Sequence, residues 1–341
     1  MRPAYRPLIF FVAIFLVAAA LPTAWPRAQA EDPTPTPPFG ALLPTPRPIP
    51  VPAWRPALYP VPWALTSFDH FYFSRPIAAD EVNWPLDAYR YTGTNFGEGL
   101  PHTGVDIVAS EGTPILAAES GQVVWADWGL FRLTPGDTTD PYGMAVMIAH
   151  DFGFQDRPLY TVYAHLSEIN VTRGQIVERG DVLGALGDTG LTTSAHLHFE
   201  IRWGADDFYA SVNPELWLVP PQGWGVLSAR IMTTWGDEVF NQRVKVTNLE
   251  TRQSWWISTY STFKNINRDP NFRENLVLSD LPAGNYEIML PYVGREMRME
   301  LRIHPGTVTF FTFYGFRGFN VVEDIPFIPT TLPIYQPSPT P

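Results

Sequence analysis

His196 and His198 are two positions apart in Ala195-His196-Leu197-His198-Phe199-Glu200, a run that reads as a β-strand. Residues i and i+2 of a strand share a face, so both imidazoles project into one small volume. Glu200 shares their face, as a partner for a histidine or as an exposed or strand-pairing residue. His102-Thr103-Gly104-Val105-Asp106 places an imidazole and a carboxylate four residues apart, on one side of an extended segment. His165 closes the apolar run Tyr160-Thr161-Val162-Tyr163-Ala164-His165. Zinc takes nitrogen and oxygen ligands, and a catalytic zinc keeps three protein ligands with a fourth position open. His102, Asp106 and one of the pair His196/His198 supply such a set, and the spacing leaves open which of the two. The remaining imidazoles are then available to take a proton from water and return it to a leaving amine. Alone, a His-x-His is a weak signal and His165 is an ordinary packed histidine. Their co-occurrence in one glycine-rich segment carries the reading. His70, His150 and His304 lack such company and read as ordinary.

These residues need a sheet to hold them. Short β-like runs broken by glycine occur at Gly121–Trp125, Ala145–His150, Tyr160–Leu166, Asp181–Gly187 and His196–Ile201, with no long helical periodicity between them. Many short strands with regular turn signals predict a barrel or sandwich. A second segment, about Gly223 to Gly318, contains Val244–Thr247 and Met297–Ile303, where apolar and polar residues alternate as in half-buried strands. About seven strands fit there, a small β-sandwich. The Pro/Gly cluster Pro220-Pro221-Gln222-Gly223 marks the boundary.

At this point the residues resemble the lysostaphin-type, LytM-like zinc metalloendopeptidases that cut bacterial peptidoglycan. The matching stretches are His102-Thr103-Gly104-Val105-Asp106, Gly112-Thr113-Pro114-Ile115, Tyr142-Gly143, Tyr163-Ala164-His165-Leu166, Gly180-Asp181-Val182-Leu183-Gly184, Gly187-Asp188-Thr189-Gly190 and His196-Leu197-His198-Phe199-Glu200, in the family's order. They span about Asn95 to Trp217. The resemblance implies one zinc ion held by His102, Asp106 and His198, catalytic roles for His165 and His196, and an antiparallel β core crossed by a groove. It implies hydrolysis of peptide bonds in stem peptides or cross-bridges of peptidoglycan. Three features depart from the family pattern: Ser194-Ala195 before the histidine pair, a long loop at Leu130–Pro141, and extra residues at Gln155–Pro158. They bear on groove shape and substrate choice and remove no chemical group. A non-catalytic envelope module that binds the wall or activates another hydrolase is the alternative; the filled set of five positions favours an active enzyme. The second segment resembles a transthyretin-like or carboxypeptidase-regulatory-like β domain through Leu281-Pro282-Ala283-Gly284-Asn285-Tyr286. Its Trp255, Trp256 and Tyr260 read as core in preference to a sugar-stacking platform.

Composition limits the alternatives. The 341 residues have a formal net charge of −11. That acidic balance argues against nucleic acid as a partner, because a phosphate backbone calls for a basic patch. Lysine occurs only at 245 and 264. A lipoyl-like carrier, which Gly180–Gly184 resembles locally, is therefore excluded for want of an attachment lysine. Cysteine is absent, so packing, with the metal, must hold the fold. Arg2 and Arg6, the apolar run Leu8–Leu21 and Ala28-Gln29-Ala30 together read as a cleavable export signal. The run is shorter than the ~20 residues that span a bilayer, so membrane attachment is expected only if this segment stays uncleaved. The expected organisation is a signal at 1–30, a proline-rich linker at 31–62, a peptidase domain at 63–219, a β-sandwich at 223–318 and a proline-rich disordered tail at 319–341. The protein is then exported to the cell envelope, periplasm or exterior, with peptidoglycan as its partner and its oligomeric state left open. The fold class is mostly β: an antiparallel, barrel-like sheet followed by the sandwich.

Overall fold

Alternating hydrophobicity in the first segment does build strands. The computed structural model describes residues 57–77, 89–93, 101–262 and 266–322. The export segment, residues 31–56 of the linker and residues 323–341 of the tail lie outside the described residues. Strands β1 (Val105–Ile107), β2 (Pro114–Leu116), β3 (Gly121–Trp128), β4 (Met144–Phe154), β5 (Arg157–Ile169), β6 (Ile176–Val177), β7 (Val182–Leu186), β8 (Leu197–Trp203) and β9 (Ser211–Val212) form one antiparallel sheet. Its main path runs β1-β8-β5-β4-β3-β6, with β7 joining β2 to β5 and β9 lying on β8. The β-like runs anticipated from the sequence correspond to β3, β4, β5, β7 and β8, with Asp181, Gly187 and His196 each one residue outside its strand.

Period-two alternation sorts the two faces of this sheet. Val105, Val146, Ile148, Tyr163, Phe199 and Ile201 bury into the main core with Phe71, Phe73 and Trp217. Ala145, Met147, Val162 and Ala164 face the other way, into a smaller cluster with Leu130, Tyr142 and Phe208. His198, Glu200 and Arg202 have the parity of that second face.

Among the described residues seven strands lie within the second segment, matching the sequence count, and an eighth lies just past Gly318. They are β10 (Trp224–Met232), β11 (Arg243–Asn248), β12 (Ser254–Ser258), β13 (Leu276–Pro282), β14 (Gly284–Tyr292), β15 (Arg295–Ile303), β16 (Val308–Tyr314) and β17 (Phe319–Val321). Two four-stranded sheets result, β13-β10-β16-β17 and β12-β11-β14-β15. The last strand pairs Phe311 with Val321 and Phe313 with Phe319, so ordered structure continues past Gly318 into the stretch read from the sequence as a disordered tail. Of the three aromatics read as core, Tyr260 is buried and Trp255 packs half-buried against the sandwich core. Trp256 is a correction: it is exposed, with the Arg243 guanidinium carbon 4.6 Å from its ring centroid.

The sheet β13-β10-β16 is buried on both faces. Leu227, Ala229, Ile231, Leu276, Leu278, Phe311 and Phe313 fill the interior of the sandwich. Val226, Val277 and Val308, of opposite parity, enter the main core with Phe73, Trp217 and Leu218. Each such side chain removed from water stabilises by roughly 1.5–3 kcal/mol, so the two segments hold each other through a shared core. Polar contacts reinforce it. Asp69 accepts from Thr307 Oγ1 and Val308 N, Arg75 pairs with Asp280, and His70 lies 2.9 Å from Asp269. The proline-rich stretch also ends in order: Leu58 bridges to Pro221, and Trp63 Nε1 donates to Gly306 O.

Candidate metal centre

Two neighbouring strands and the loop entering β1 create the site. β1 runs antiparallel to β8 with Asp106 directly opposite His198, so the carboxylate and one imidazole of the pair meet across the ladder. His102 arrives from the preceding loop, which must press against β8. Gly104 permits this: a Cβ there would lie 2.3 Å from Phe199 O and 3.0 Å from His198 Cε1. Gly104→Ala should therefore lower stability by about 1–3 kcal/mol and push His102 away from its partners, measurable by denaturant unfolding and by zinc titration.

Three atoms converge at the centre. His102 Nε2 and Asp106 Oδ1 are 2.9 Å apart, His198 Nδ1 and Asp106 Oδ1 2.8 Å, and the two imidazole nitrogens 3.1 Å. Among the described residues this is the group of three side chains placed to share a metal ion. Their outward atoms are committed. His102 Nδ1 donates to Arg90 O at 2.8 Å, and His198 Nε2 donates to Glu200 Oε1 at 3.1 Å. Each tautomer therefore turns a lone pair inward, and the third corner is a carboxylate oxygen. Three buried acceptors facing one another demand a positive charge, supplied by a proton or a metal ion. Burial opposes a charge on His198, yet its bonds to Asp106 and Glu200 outweigh that and lift it to about 9. Burial likewise opposes ionised Asp106, and His102 and His198 outweigh it, holding the carboxyl well below its usual range. The edges of the triangle are close to the roughly 3.3 Å that tetrahedral ligands at 2.0–2.1 Å require. The donor set, two imidazoles and one carboxylate, fits zinc with one position left open.

A polar network locks the outer side of His198. Glu200 accepts from His198, from the Tyr142 and Thr103 hydroxyls, and from Arg202 Nε at 2.8 Å. Arg202 Nη2 also donates to Tyr142 O–H at 3.0 Å. Burial alone would raise the Glu200 carboxyl; the Arg202 charge and the His198 bond outweigh it and hold it at about 2. A carboxylate on the far nitrogen fixes the ring and raises its basicity as a ligand. The long Leu130–Pro141 loop is closed by buried Asp140, which accepts from the backbone of Phe131, Arg132 and Tyr142, and this holds Tyr142 in place.

His165 and His196 complete the cluster, with ring centroids 4.7 Å apart; His165 is 5.8 Å from His198. Ala164 pairs with His198 across β5 and β8. An unbroken strand would send the next residue to the opposite face. His165 instead adopts φ +65°, in the left-handed region, which non-glycine residues occupy at a cost. The β4–β5 register shifts across it, between Tyr163 and Leu166, and the β5–β7 register shifts just after it, between Leu166 and Glu168. His165 Nδ1 donates to Thr189 O at 2.7 Å, so its lone pair is on Nε2. Burial, then the neighbouring His198 and His196, push this imidazole down to about 3. His196 Nδ1 donates to Ser194 O at 2.7 Å and its Nε2 lies 3.6 Å from Asp106 Oδ2. Burial lowers it as well. Both imidazoles are neutral near pH 7, with a basic nitrogen at the site.

All five residues singled out from the sequence thus come together. His150 is elsewhere, buried between Ser120 O and Thr161, and His304 is exposed. Four participants were not singled out for a role: Thr103, Tyr142, Arg90 and Arg202. Arg202 carried a signal, because His196, His198, Glu200 and Arg202 alternate without a break.

Part of the chain is similar to known proteins. Residues 100–214 match the family model for "Peptidase family M23". Over 101 residues the chain is 40% identical to the DD-carboxypeptidase/endopeptidase Mpg of Neisseria meningitidis serogroup B, covering 30% of this chain and 20% of that protein. Over 139 residues it is 34% identical to the cell division protein DipM of Caulobacter vibrioides (40% and 20%). Over 145 residues it is 33% identical to the murein hydrolase activator NlpD of Salmonella dublin (42% and 33%). The matched stretch therefore spans a fifth to a third of these relatives. Among solved structures, the catalytic domain of lysostaphin from Staphylococcus simulans matches at 26% identity and a TM-score of 0.29, over 42% of this chain and 89% of that one. The segment at 100–214 belongs to peptidase family M23, in its lysostaphin-type, LytM-like group.

Proposed function

We propose that this chain is an exported zinc-dependent endopeptidase that hydrolyses peptide bonds in peptidoglycan stem peptides or cross-bridges. His102, Asp106 and His198 would hold the metal, and His165 and His196 would move protons. The observation that carries the reading is the convergence of three inward-facing acceptors beside two neutral imidazoles. A zinc ion there supplies Lewis acidity to the scissile carbonyl and acidifies water. The chain's own groups do the rest. A neutral imidazole at His165 or His196 takes one proton from the attacking water through its Nε2. The hydroxide adds to the carbonyl carbon, the C–N bond breaks, and the same proton goes to the departing amine nitrogen. The N–H of the one imidazolium so formed would stabilise the charge that develops on the carbonyl oxygen. Export and an envelope location are supported by the charged, apolar and small-residue pattern of residues 1–30 and by the names of the relatives, a murein hydrolase activator among them.

The test is digestion of purified peptidoglycan, with mass spectrometry of the released muropeptides. We expect fragments carrying new amino and carboxyl termini, lost on chelation and restored by zinc. The similarity to NlpD favours a second reading, activation of a separate hydrolase. Stoichiometric zinc with no cleavage, together with stimulation of an added amidase, would establish that reading in place of the first.

A further inference from the structure

The carbonyl that orients His102 belongs to Arg90, in the turn at 89–93. Among the described residues that turn is not part of a strand. Its anchors come from far along the chain. Arg90 Nη1 pairs with Glu215. Glu215, in the short 3₁₀ turn Pro214–Leu216, accepts from Ser279 N at 2.9 Å and Ser279 Oγ at 2.7 Å. Ser279 lies in β13, whose outward parity it shares with Val277. Tyr91 stacks edge-on against Tyr260, and its hydroxyl meets the backbone of Asn267 and Ser211. Ser261 N reaches Thr92 Oγ1 at 3.4 Å. Thr92 N in turn donates to His102 O at 2.8 Å. Residues beyond 255 therefore clamp both sides of the peptide that accepts the His102 N–H.

We propose that the C-terminal β-sandwich is a positioning element of the metal centre, acting on His102 through Ser279, Glu215 and Arg90. This rests on the reading of His102 as a metal ligand. The physical logic is that of any group behind a ligating histidine: the acceptor on the far nitrogen fixes tautomer and ring orientation, and loosening it costs metal affinity. Here the acceptor is a backbone carbonyl, so its position is set by what clamps its turn. The sandwich is in this view a part of the catalytic unit, where a tethered module would leave the site untouched.

The experiment uses the full chain. Zinc affinity is measured by competition with a chromophoric chelator, the ligand field by the visible spectrum of the cobalt-substituted protein, and folding by thermal melting. Ser279→Ala and Glu215→Gln should weaken zinc binding about tenfold and change the cobalt spectrum, with Ser279→Thr restoring both. Ser279→Ala removes one hydroxyl and is the variant to rely on if Glu215→Gln unfolds. Asp69→Asn, which loosens the same interface at Thr307 and Val308 without touching the 89–93 turn, should melt earlier yet keep the zinc affinity and the spectrum. The proposal is overturned if Ser279→Ala matches the unsubstituted protein in affinity and spectrum, or if Asp69→Asn shifts them equally. His102→Ala is the reference: zinc affinity unchanged in that variant would overturn the metal-site reading itself, a result distinct from failure of the relay.

Discussion

His198→Ala should abolish zinc binding and peptide hydrolysis together. His198 is fully buried, and both of its ring nitrogens are in use: Nδ1 at the centre with His102 and Asp106, Nε2 on Glu200. Alanine removes one of three donors, and with it the link that ties the centre to the Glu200–Arg202 network. Removing a partner behind a ligand costs 10–100-fold in affinity or activity; losing a ligand should cost well beyond that. The fold should survive, weakened. Glu200 keeps Arg202, Tyr142 and Thr103 as donors, and Asp106 keeps His102. Metal analysis of the dialysed protein and a peptidoglycan zymogram check the result. Retention of one zinc per chain by a folded His198→Ala would remove His198 from the ligand set. His196→Ala is the contrast, expected to keep zinc and lose hydrolysis.

What could be read in advance follows from the kind of interaction involved. Strand parity is local, so the shared face of His196, His198 and Glu200 was visible in the letters, and Arg202 merely continues it. The separate facts that Asp106 pairs with His198 and that Gly104 lies under Phe199 are matters of register. Register is set by long-range packing, and here only the family resemblance chose His198 over His196. His165 was legible as a residue and illegible as a geometry, because its left-handed backbone reverses the parity that the sequence implies. In the second segment, alternation described β11 and β15 correctly, each with one face on the core. It missed why β10 and β13 are buried along most of their length: their second face is covered by the first segment. Two domains joined at a proline-glycine boundary were expected, and a shared core was found. The Arg90–Glu215–Ser279 contacts join residues 125 and 64 positions apart, and no local pattern announces them.

His165→Ala should remove hydrolysis while leaving zinc in place. The imidazole is outside the triangle of ligand atoms, with its ring centroid 5.8 Å from that of His198 and its Nδ1 held by Thr189. What it supplies is a neutral basic nitrogen: burial and the neighbouring histidines hold it at about 3, so it stays unprotonated across the neutral range. Positioned proton transfer contributes typically 10²–10⁴-fold, and the rate constant for hydrolysis should fall by about that factor with little change in substrate affinity. Because the group is neutral well above its pKa, no change of pH between about 5 and 8 should recover the lost activity. Stability separates the backbone from the side chain. Alanine keeps the Cβ and hence the cost of the +65° conformation, whereas glycine relieves it. His165→Gly should therefore unfold at higher denaturant than His165→Ala, by about 1 kcal/mol, with both variants equally inactive and both retaining zinc. Loss of the metal from either variant would move His165 into the ligand set and leave His196 as the one imidazole available for proton transfer.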